Sequence, residues 1–156
     1  MTARGYGEQH KVTIRLVTGA GFRHSQVLVA PFRGARMTWL GLADVNGDRN
    51  DEVFIALMAG SRNIEALALE LRDGRFMPLR GIKAGRIALH NTQIEYAGFT
   101  CSNGSRLTLW RVHRAAGKSP VYRGTEEVWS APPGGAFQRL ASRRVEFPAD
   151  EKSRAP

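Results

Sequence analysis

The chain has 156 residues, 42% of them hydrophobic and 24% charged, which is typical of one globular domain and excludes a largely disordered chain. No run approaches the ~18 to 20 apolar residues of a membrane helix, and the first residues lack the apolar core of a signal peptide. We therefore predict a single domain over residues 1–148, without a membrane span, followed by a flexible charged tail over residues 149–156.

The charge of the chain is strongly positive. The 23 Lys and Arg residues exceed the 14 Asp and Glu residues, which gives a net charge of +9 and an isoelectric point near 10.8. A field of this sign attracts polyanions such as nucleic acid or an anionic polysaccharide. The arginines are scattered, however, and no nucleic-acid motif accompanies them. The pattern therefore favours a solubilising surface, with polyanion binding as an alternative.

The first part of the chain predicts three strands. Residues 11–17 alternate polar and apolar side chains, which is typical of a half-buried strand. A second strand at residues 25–30 is ended by Pro31, and we expect these two strands to form a hairpin. A third strand at residues 37–43 leads directly into an acidic loop.

After that loop the chain returns to strand patterns. Residues 53–57 are uninterrupted apolar residues, as expected for a strand buried on both faces. Residues 64–71 are ambiguous, because Ala, Leu and Glu favour a helix and the alternation of apolar residues is not decisive. We predict a strand there, because Asp73-Gly74 is a usual two-residue turn between paired strands and precedes another strand at residues 75–79.

The remaining residues predict an all-β protein built of antiparallel sheets. Five more strands are expected at residues 86–89, 93–97, 106–114, 121–130 and 137–147. In residues 106–114 the apolar side chains do not share one face, so we expect either a bulge or a two-sided strand. The Pro-Pro-Gly-Gly run at residues 132–135 predicts a firm turn.

The acidic loop at residues 44–52 reverses the sign of the chain, because it holds four carboxylates and two side-chain amides. Oxygen-bearing residues at alternate positions of a tight turn can converge on one hard cation. Calcium takes ~6 to 8 oxygen ligands, including backbone carbonyls. The predicted ligands are the side chains of Asp44, Asn46, Asp48 and Glu52 together with the backbone carbonyl of Asn50.

The loop has two competing interpretations. An EF-hand needs Gly at the sixth position and Glu at the twelfth, on a helix-loop-helix. Arg49 and Ile55 stand at those positions, and the flanking residues are β-formers. An EF-hand is therefore excluded. A solvated Asn-Gly-Asp turn that binds no ion is the other alternative.

Residues 39–57, with the loop pattern Asp-x-Asn-Gly-Asp-x-x-x-Glu, resemble the FG-GAP or VCBS (integrin-like β-propeller) repeat family. In that family the loop binds calcium and ties together adjacent strands of a blade. One departure is Arg49, where the family usually has Gly. That position often needs a positive φ, which is unfavourable for a residue with a Cβ atom, so a lower affinity is expected. Gly47 allows the sharp bend.

The resemblance implies blade-like repeat units. The strand at residues 53–57 has weaker echoes at residues 12–16 and 107–110, which would make about three units. A propeller needs ~4 to 8 blades of four strands. The chain is therefore either part of a larger array or a compact antiparallel assembly that contains the same loop. Because FG-GAP relatives are commonly exported, the resemblance also implies a secreted or cell-envelope location.

No pattern predicts catalysis. The four histidines lie far apart, without the spacing of a transition-metal site: His10, His24, His90 and His113. We expect Cys101 to be a buried structural thiol. The neighbouring carboxylates at 51–52 and at 126–127 would point to opposite faces of a strand, so neither pair suits acid and base catalysis.

The large aromatic residues are expected in the core more than on a sugar-binding or base-binding surface. They are Trp39, Tyr96, Trp110, Tyr122 and Trp129. The sequence thus predicts a non-enzymatic calcium-binding module for adhesion, ligand binding or assembly, with a protein or polysaccharide ligand. The alternatives are a polyanion-binding module and an accessory domain of a polysaccharide-active enzyme.

Overall fold

The computed structural model describes residues 11–17, 23–29, 36–59, 63–92, 94–102, 106–115 and 121–148. Within these ranges the chain forms eleven strands and one short 3-10 turn, and every pairing is antiparallel. The all-β prediction is confirmed. No helix in this part of the chain is long and apolar enough to cross a membrane. The predicted tail at residues 149–156 lies outside the described residues.

The strands agree with the predicted ones to within a few residues at most ends. They are β1 Lys11–Val17, β2 Arg23–Val29, β3 Arg36–Ala43, β4 Glu52–Ala59, β5 Asn63–Arg72, β6 Arg75–Pro78, β7 Arg86–Asn91, β8 Glu95–Ser102, β9 Arg106–Arg114, β10 Val121–Ser130 and β11 Gln138–Pro148. The ambiguous segment is strand β5. It pairs with β4 on one side and with β6 and β7 on the other, because tertiary pairing overrides a weak helix propensity.

The strands form one large sheet and one separate hairpin. Nine strands make a sheet in the order β11-β10-β9-β8-β7-β5-β4-β3, with β6 also paired to β5. The hairpin consists of β1 and β2, as predicted. The three strands with similar sequences, β1, β4 and β9, therefore occupy different environments. This arrangement agrees with a compact antiparallel assembly.

Strand β4 is buried on both faces, as its uninterrupted apolar sequence predicted. Phe54 packs into a first core with Ala66 and Ala68 of β5. Ile55 points to the opposite side, into a second core that also contains Ile14 of β1. The β1-β2 hairpin thus covers the second core.

The first core draws distant strands of the sheet together. Phe99 of β8 stacks on Phe54 of β4, with 5.1 Å between the ring centroids. Leu107 of β9 and Phe137, just before β11, are buried in the same core. Because β7 and β5 separate β8 from β4 in the pairing order, the sheet must curl for these side chains to meet.

Two local predictions are confirmed by backbone geometry and register. Asp73 and Gly74 have φ values of 50° and 73°, so the turn between β5 and β6 has the left-handed conformation that an Asp-Gly pair favours. Strand β9 pairs on both sides without a register shift. Leu107 points into the first core, while Trp110 is buried on the opposite face. The strand is therefore two-sided and carries no bulge.

Candidate metal loop

The acidic loop connects β3 to β4, and buried residues attach it to the body of the protein. Val45 is completely buried in the first core. Asn46 is completely buried as well, and Glu52, the first residue of β4, is only 1% exposed. The neighbouring Asp51 is exposed. The loop is thus fixed at both ends by buried residues, although its tip at Arg49 and Asn50 is exposed.

The oxygen-bearing side chains fold inward and accept hydrogen bonds from the loop backbone. Asp44 accepts from the N–H of Gly47 through Oδ1 at 2.7 Å and from the N–H of Arg49 through Oδ2 at 3.0 Å. Asn46 Oδ1 accepts from the N–H of Asp48 at 2.9 Å, and Asp48 Oδ1 accepts from the N–H of Asn50 at 2.8 Å. The alternate spacing seen in the sequence therefore does turn these side chains toward the loop interior.

Glu52 joins the two ends of the loop. Its Oε2 accepts the backbone N–H of Val45 at 2.8 Å. The side-chain nitrogen of Asn46, Nδ2, donates to Glu52 Oε1 at 2.9 Å and to Asp48 Oδ2 at 3.3 Å. Two carboxylates, one from the middle of the loop and one from its end, therefore approach the same neutral nitrogen atom.

The buried carboxylate of Glu52 lacks a positively charged partner among the described side chains. Its pKa is raised from 4.5 to about 7, mainly by burial and to a smaller extent by the charges of Asp48, Asp44 and Glu70, although the hydrogen bond from Val45 acts to lower it. No described Lys, Arg or His forms an ion pair with it. Desolvation therefore disfavours the ionised carboxylate unless a cation is supplied.

Two loop residues adopt left-handed backbone conformations. Gly47 has a φ of 71°, as expected for the bend, and Arg49 has a φ of 68°. The expectation of a positive φ at Arg49 is therefore confirmed. A residue with a Cβ atom in this region costs about 1 kcal/mol.

The donor set suits a hard cation. All of the predicted ligands are oxygens, and a carboxylate oxygen that accepts one hydrogen bond still has a second lone pair. Within the described ranges, however, no three His, Cys, Asp or Glu side chains are arranged as a metal-binding group, because the carboxylates point to the loop's own N–H groups. Asn46 also presents its nitrogen to the carboxylates, so rotation of this amide would be needed to present an oxygen.

The predictions of which single residues are buried were partly wrong. Cys101 is exposed, so the prediction of a buried thiol was wrong; it lies near the end of β8, outside the core. Desolvation raises the pKa of its thiol to about 11, with a smaller contribution from the charge of Glu52, which disfavours the reactive thiolate. Trp39 is 56% exposed, so its prediction as a core residue was also wrong. Trp110 and Tyr122 are buried, as predicted.

The pair at positions 126 and 127 behaves as predicted. Glu126 accepts from Arg143 at 2.7 Å, whereas Glu127 accepts from Arg139 at 2.7 Å and from the indole N–H of Trp129 at 3.2 Å. Neighbouring residues of a strand point to opposite faces, and each of the two carboxylates has its own arginine partner.

A second buried carboxylate was missed by the sequence analysis. Glu70 of β5 is 3% exposed, and it forms ion pairs with Arg80 at 2.9 Å and Arg72 at 3.3 Å. In a strand Glu70 shares a face with Ala66 and Ala68, which are both completely buried. This period of two was the signal that could have identified it.

Comparisons with known proteins found no match. No protein-family model, curated protein or solved structure matches the chain.

Proposed function

We propose that the protein is a non-enzymatic calcium-binding module. Asp44, Asn46, Asp48 and Glu52 would hold the ion with their side chains, and Asn50 with its backbone carbonyl. The observation that carries the proposal is the burial of the Glu52 carboxylate. Glu52 is 1% exposed and has no described cationic partner, although the chain contains 23 Lys and Arg residues.

The described part of the chain places its positive charges away from Glu52. Unpaired buried carboxylates are strongly disfavoured, and many basic side chains were available to neutralise Glu52. Asp44 and Asp48 instead add negative charge beside it. A divalent cation would cancel this repulsion and favour the ionised form of Glu52. Calcium binding should therefore stabilise the folded protein.

A role in adhesion, ligand binding or assembly at the cell surface is the broader part of the proposal. It is supported by the resemblance of residues 39–57 to FG-GAP repeats. The loop is also anchored to the first core through Val45, which would hold a bound ion in a fixed position relative to the sheet.

Polyanion binding is less well supported by the described surface. Seven of the described arginines have a carboxylate within 4 Å. Four of these ion pairs involve β9, β10 or β11: Arg111–Glu95, Arg123–Glu146, Arg139–Glu127 and Arg143–Glu126. Such pairing lowers the local positive potential that a polyanion would meet. The calcium proposal is therefore the one that the geometry favours.

The test is isothermal titration with calcium, together with thermal unfolding in about 5 mM calcium and in chelator. Saturating calcium should raise the melting temperature by roughly 5 to 10 °C, because occupancy at ~100 times the Kd contributes about 2.7 kcal/mol. Asp48→Asn should remove most of the titration heat and most of the temperature shift.

The matched control is Asp51→Asn, which makes the same charge change in the same loop at an exposed residue outside the predicted ligand set. It should retain calcium binding within a factor of about three. An unchanged melting temperature together with no heat would overturn the proposal. An equal loss of binding in both variants would show that only net charge matters.

A further inference from the structure

The acidic loop contains a pair of residues that is chemically reactive in an unfolded chain. In an Asn-Gly pair the backbone nitrogen of the glycine can attack the side-chain carbonyl carbon of the asparagine, because glycine has no Cβ atom to hinder the approach. The chain has two such pairs, Asn46-Gly47 and Asn103-Gly104. The second pair lies outside the described residues, whereas the first lies in the loop between β3 and β4.

The reaction is a deamidation, and its only co-reactant is water. The Gly47 nitrogen forms a bond to Cγ of Asn46, and the side-chain nitrogen leaves as ammonia with the proton that the Gly47 nitrogen gives up. Water then opens the cyclic imide. Hydrolysis of the new bond to Cγ gives aspartate, whereas hydrolysis of the original backbone bond gives isoaspartate, in which the backbone runs through the side-chain carbons.

Ring closure would remove three of the hydrogen bonds that hold the folded loop. The Gly47 nitrogen would lose the hydrogen that it donates to Asp44 Oδ1 at 2.7 Å. The side-chain nitrogen of Asn46 would leave, and with it the bonds to Glu52 Oε1 at 2.9 Å and to Asp48 Oδ2 at 3.3 Å. Each bond has a carboxyl oxygen as its acceptor, and bonds to an ionised acceptor are stronger than neutral ones. The closed loop therefore disfavours the cyclic imide.

The closed loop also keeps out the water that the reaction consumes. Asn46 is completely buried, and its partner Glu52 is only 1% exposed. The preceding residue, Val45, is fixed in the first core, so Asn46 reaches water only when this end of the loop moves. Reaction at Asn46 should therefore follow the population of chains in which the loop is open.

Deamidation would add an anion to a loop that is already acidic. The amide of Asn46 donates to Glu52 and Asp48, but an ionised carboxylate in its place has no hydrogen to donate. The two existing carboxylates would then face a third negative charge, and like charges repel strongly where water is excluded. Isoaspartate would also lengthen the backbone of the loop. Both products should therefore make the closed loop less stable.

We propose that Asn46 is a deamidation site that the closed loop protects and that opening of the loop exposes. The modified loop closes less stably, so each modified chain opens more often afterwards. The change is irreversible because the ammonia is lost, and the protein therefore keeps a chemical record of past opening. The proposal does not rest on calcium binding, and it is tested in chelator so that its outcome is independent of that function.

Peptide mapping of the full chain tests the protection. Trypsin cleaves after Lys and Arg and releases residues 37–49 as one peptide, in which Asn46 is the only asparagine. The gain in mass when NH2 is replaced by OH therefore reports on Asn46 alone. Conversion should be at least about tenfold slower in the folded chain than in urea-unfolded chain at the same pH and temperature. Equal rates, or no conversion in the unfolded chain, would overturn the proposal.

A pair of variants tests the role of the loop's own hydrogen bonds. Asp44→Ala removes the acceptor of the Gly47 N–H and should speed conversion of Asn46 at least about threefold in chains that circular dichroism shows to be folded. The matched control is Asp51→Ala, which removes an exposed carboxylate of the same loop and should leave the rate within about twofold of wild type. Equal rates in the two variants, or slower conversion in Asp44→Ala, would contradict protection by Asp44.

The effect of the modification is tested with Asn46→Asp, which reproduces the aspartate product. In chelator its melting temperature should be roughly 4 to 8 °C below that of the wild type, because two hydrogen bonds to carboxylates are lost. The matched control is Asn50→Asp, the same change at an exposed position of the loop, which should stay within about 2 °C. A wild-type melting temperature for Asn46→Asp, or an equal decrease in both variants, would overturn the proposed loss of loop stability.

Discussion

Two buried glutamates lie near each other on adjacent strands and are stabilised in opposite ways. In the register of β4 and β5, Val53 is opposite Leu69, so Glu52 and Glu70 lie one position beyond that pair. The side chain of Glu70 is neutralised by Arg80 and Arg72. Glu52 has only the N–H of Val45 and the amide of Asn46. The described part of the chain supplies cations to Glu70 and none to Glu52, which is the physical basis of the calcium proposal.

The largest effect is expected where the internal ion pair is broken. Arg80→Ala would leave Glu70 with Arg72 as its remaining cationic partner and would remove the hydrogen bond from Arg80 to the carbonyl of Gly134. Removing one partner of a buried ion pair costs ~3 to 5 kcal/mol. Because the side chain of Arg80 is 37% exposed, we expect about 3 kcal/mol of destabilisation in urea unfolding, independent of calcium.

The control for this variant is Arg86→Ala. Arg86 pairs with Glu65 at 3.3 Å, but both side chains are more than 40% exposed, so the loss should be below about 1 kcal/mol. Equal destabilisation in both variants would show that the burial of Glu70 does not matter.

The second effect is a pH dependence of stability that is due to Glu52. Its folded-state pKa of about 7 lies above the ordinary value of 4.5, so the folded protein binds the proton more tightly than the unfolded chain. This stabilisation is fully present below about pH 4.5 and is lost as the pH rises through 7. Linkage gives roughly 2 kcal/mol lost between about pH 5 and pH 8 in chelator.

Urea unfolding of Glu52→Gln isolates that contribution, since the variant keeps an oxygen for the Val45 N–H and cannot ionise. The wild-type minus variant difference should fall with pH in chelator and should flatten in saturating calcium, because the ion favours the carboxylate. A difference that rises with pH in chelator would mean that Glu52 is stabilised as an anion without any ion.

The smallest effect concerns the backbone of the loop. Arg49→Gly removes a Cβ atom at a φ of 68° and removes a positive charge next to the predicted site. We expect about 0.5 to 1 kcal/mol of stabilisation in urea unfolding and roughly threefold tighter calcium binding by titration.

Gly47→Ala serves as the reverse control at a φ of 71° and should destabilise by about 1 kcal/mol. Tighter calcium binding with no change in stability would assign the effect of Arg49→Gly to charge alone.

Sequence patterns predicted the elements whose cause is local. The apolar run at residues 53–57 predicted a strand buried on both faces, and Asp73-Gly74 predicted a two-residue turn, because side-chain period and turn chemistry act over a few residues. The inward orientation of the oxygen-bearing side chains at alternate positions of the acidic loop also has a local cause. They turn inward because each one can accept a nearby backbone N–H.

Predictions that depended on a residue's neighbours in space were less successful. Trp39 was expected in the core, but β3 is the last strand of the sheet within the described ranges, and a strand's position in its sheet cannot be recognised from its own alternation. Cys101 was expected to be buried and is exposed. The ion pair of Glu70 with Arg80 was missed, because its partners are ten residues apart and meet through the pairing of β5 with β6 and the connection that follows.

The sequence alone determined that the chain is built of strands, that it is strongly cationic, and that one nine-residue connection concentrates oxygen atoms. The tertiary structure decided which carboxylates lose their water and which of them obtain a guanidinium. That decision depends on how the sheet curls around the first core, since only the curled sheet excludes water from Glu52 and places no described basic side chain against it.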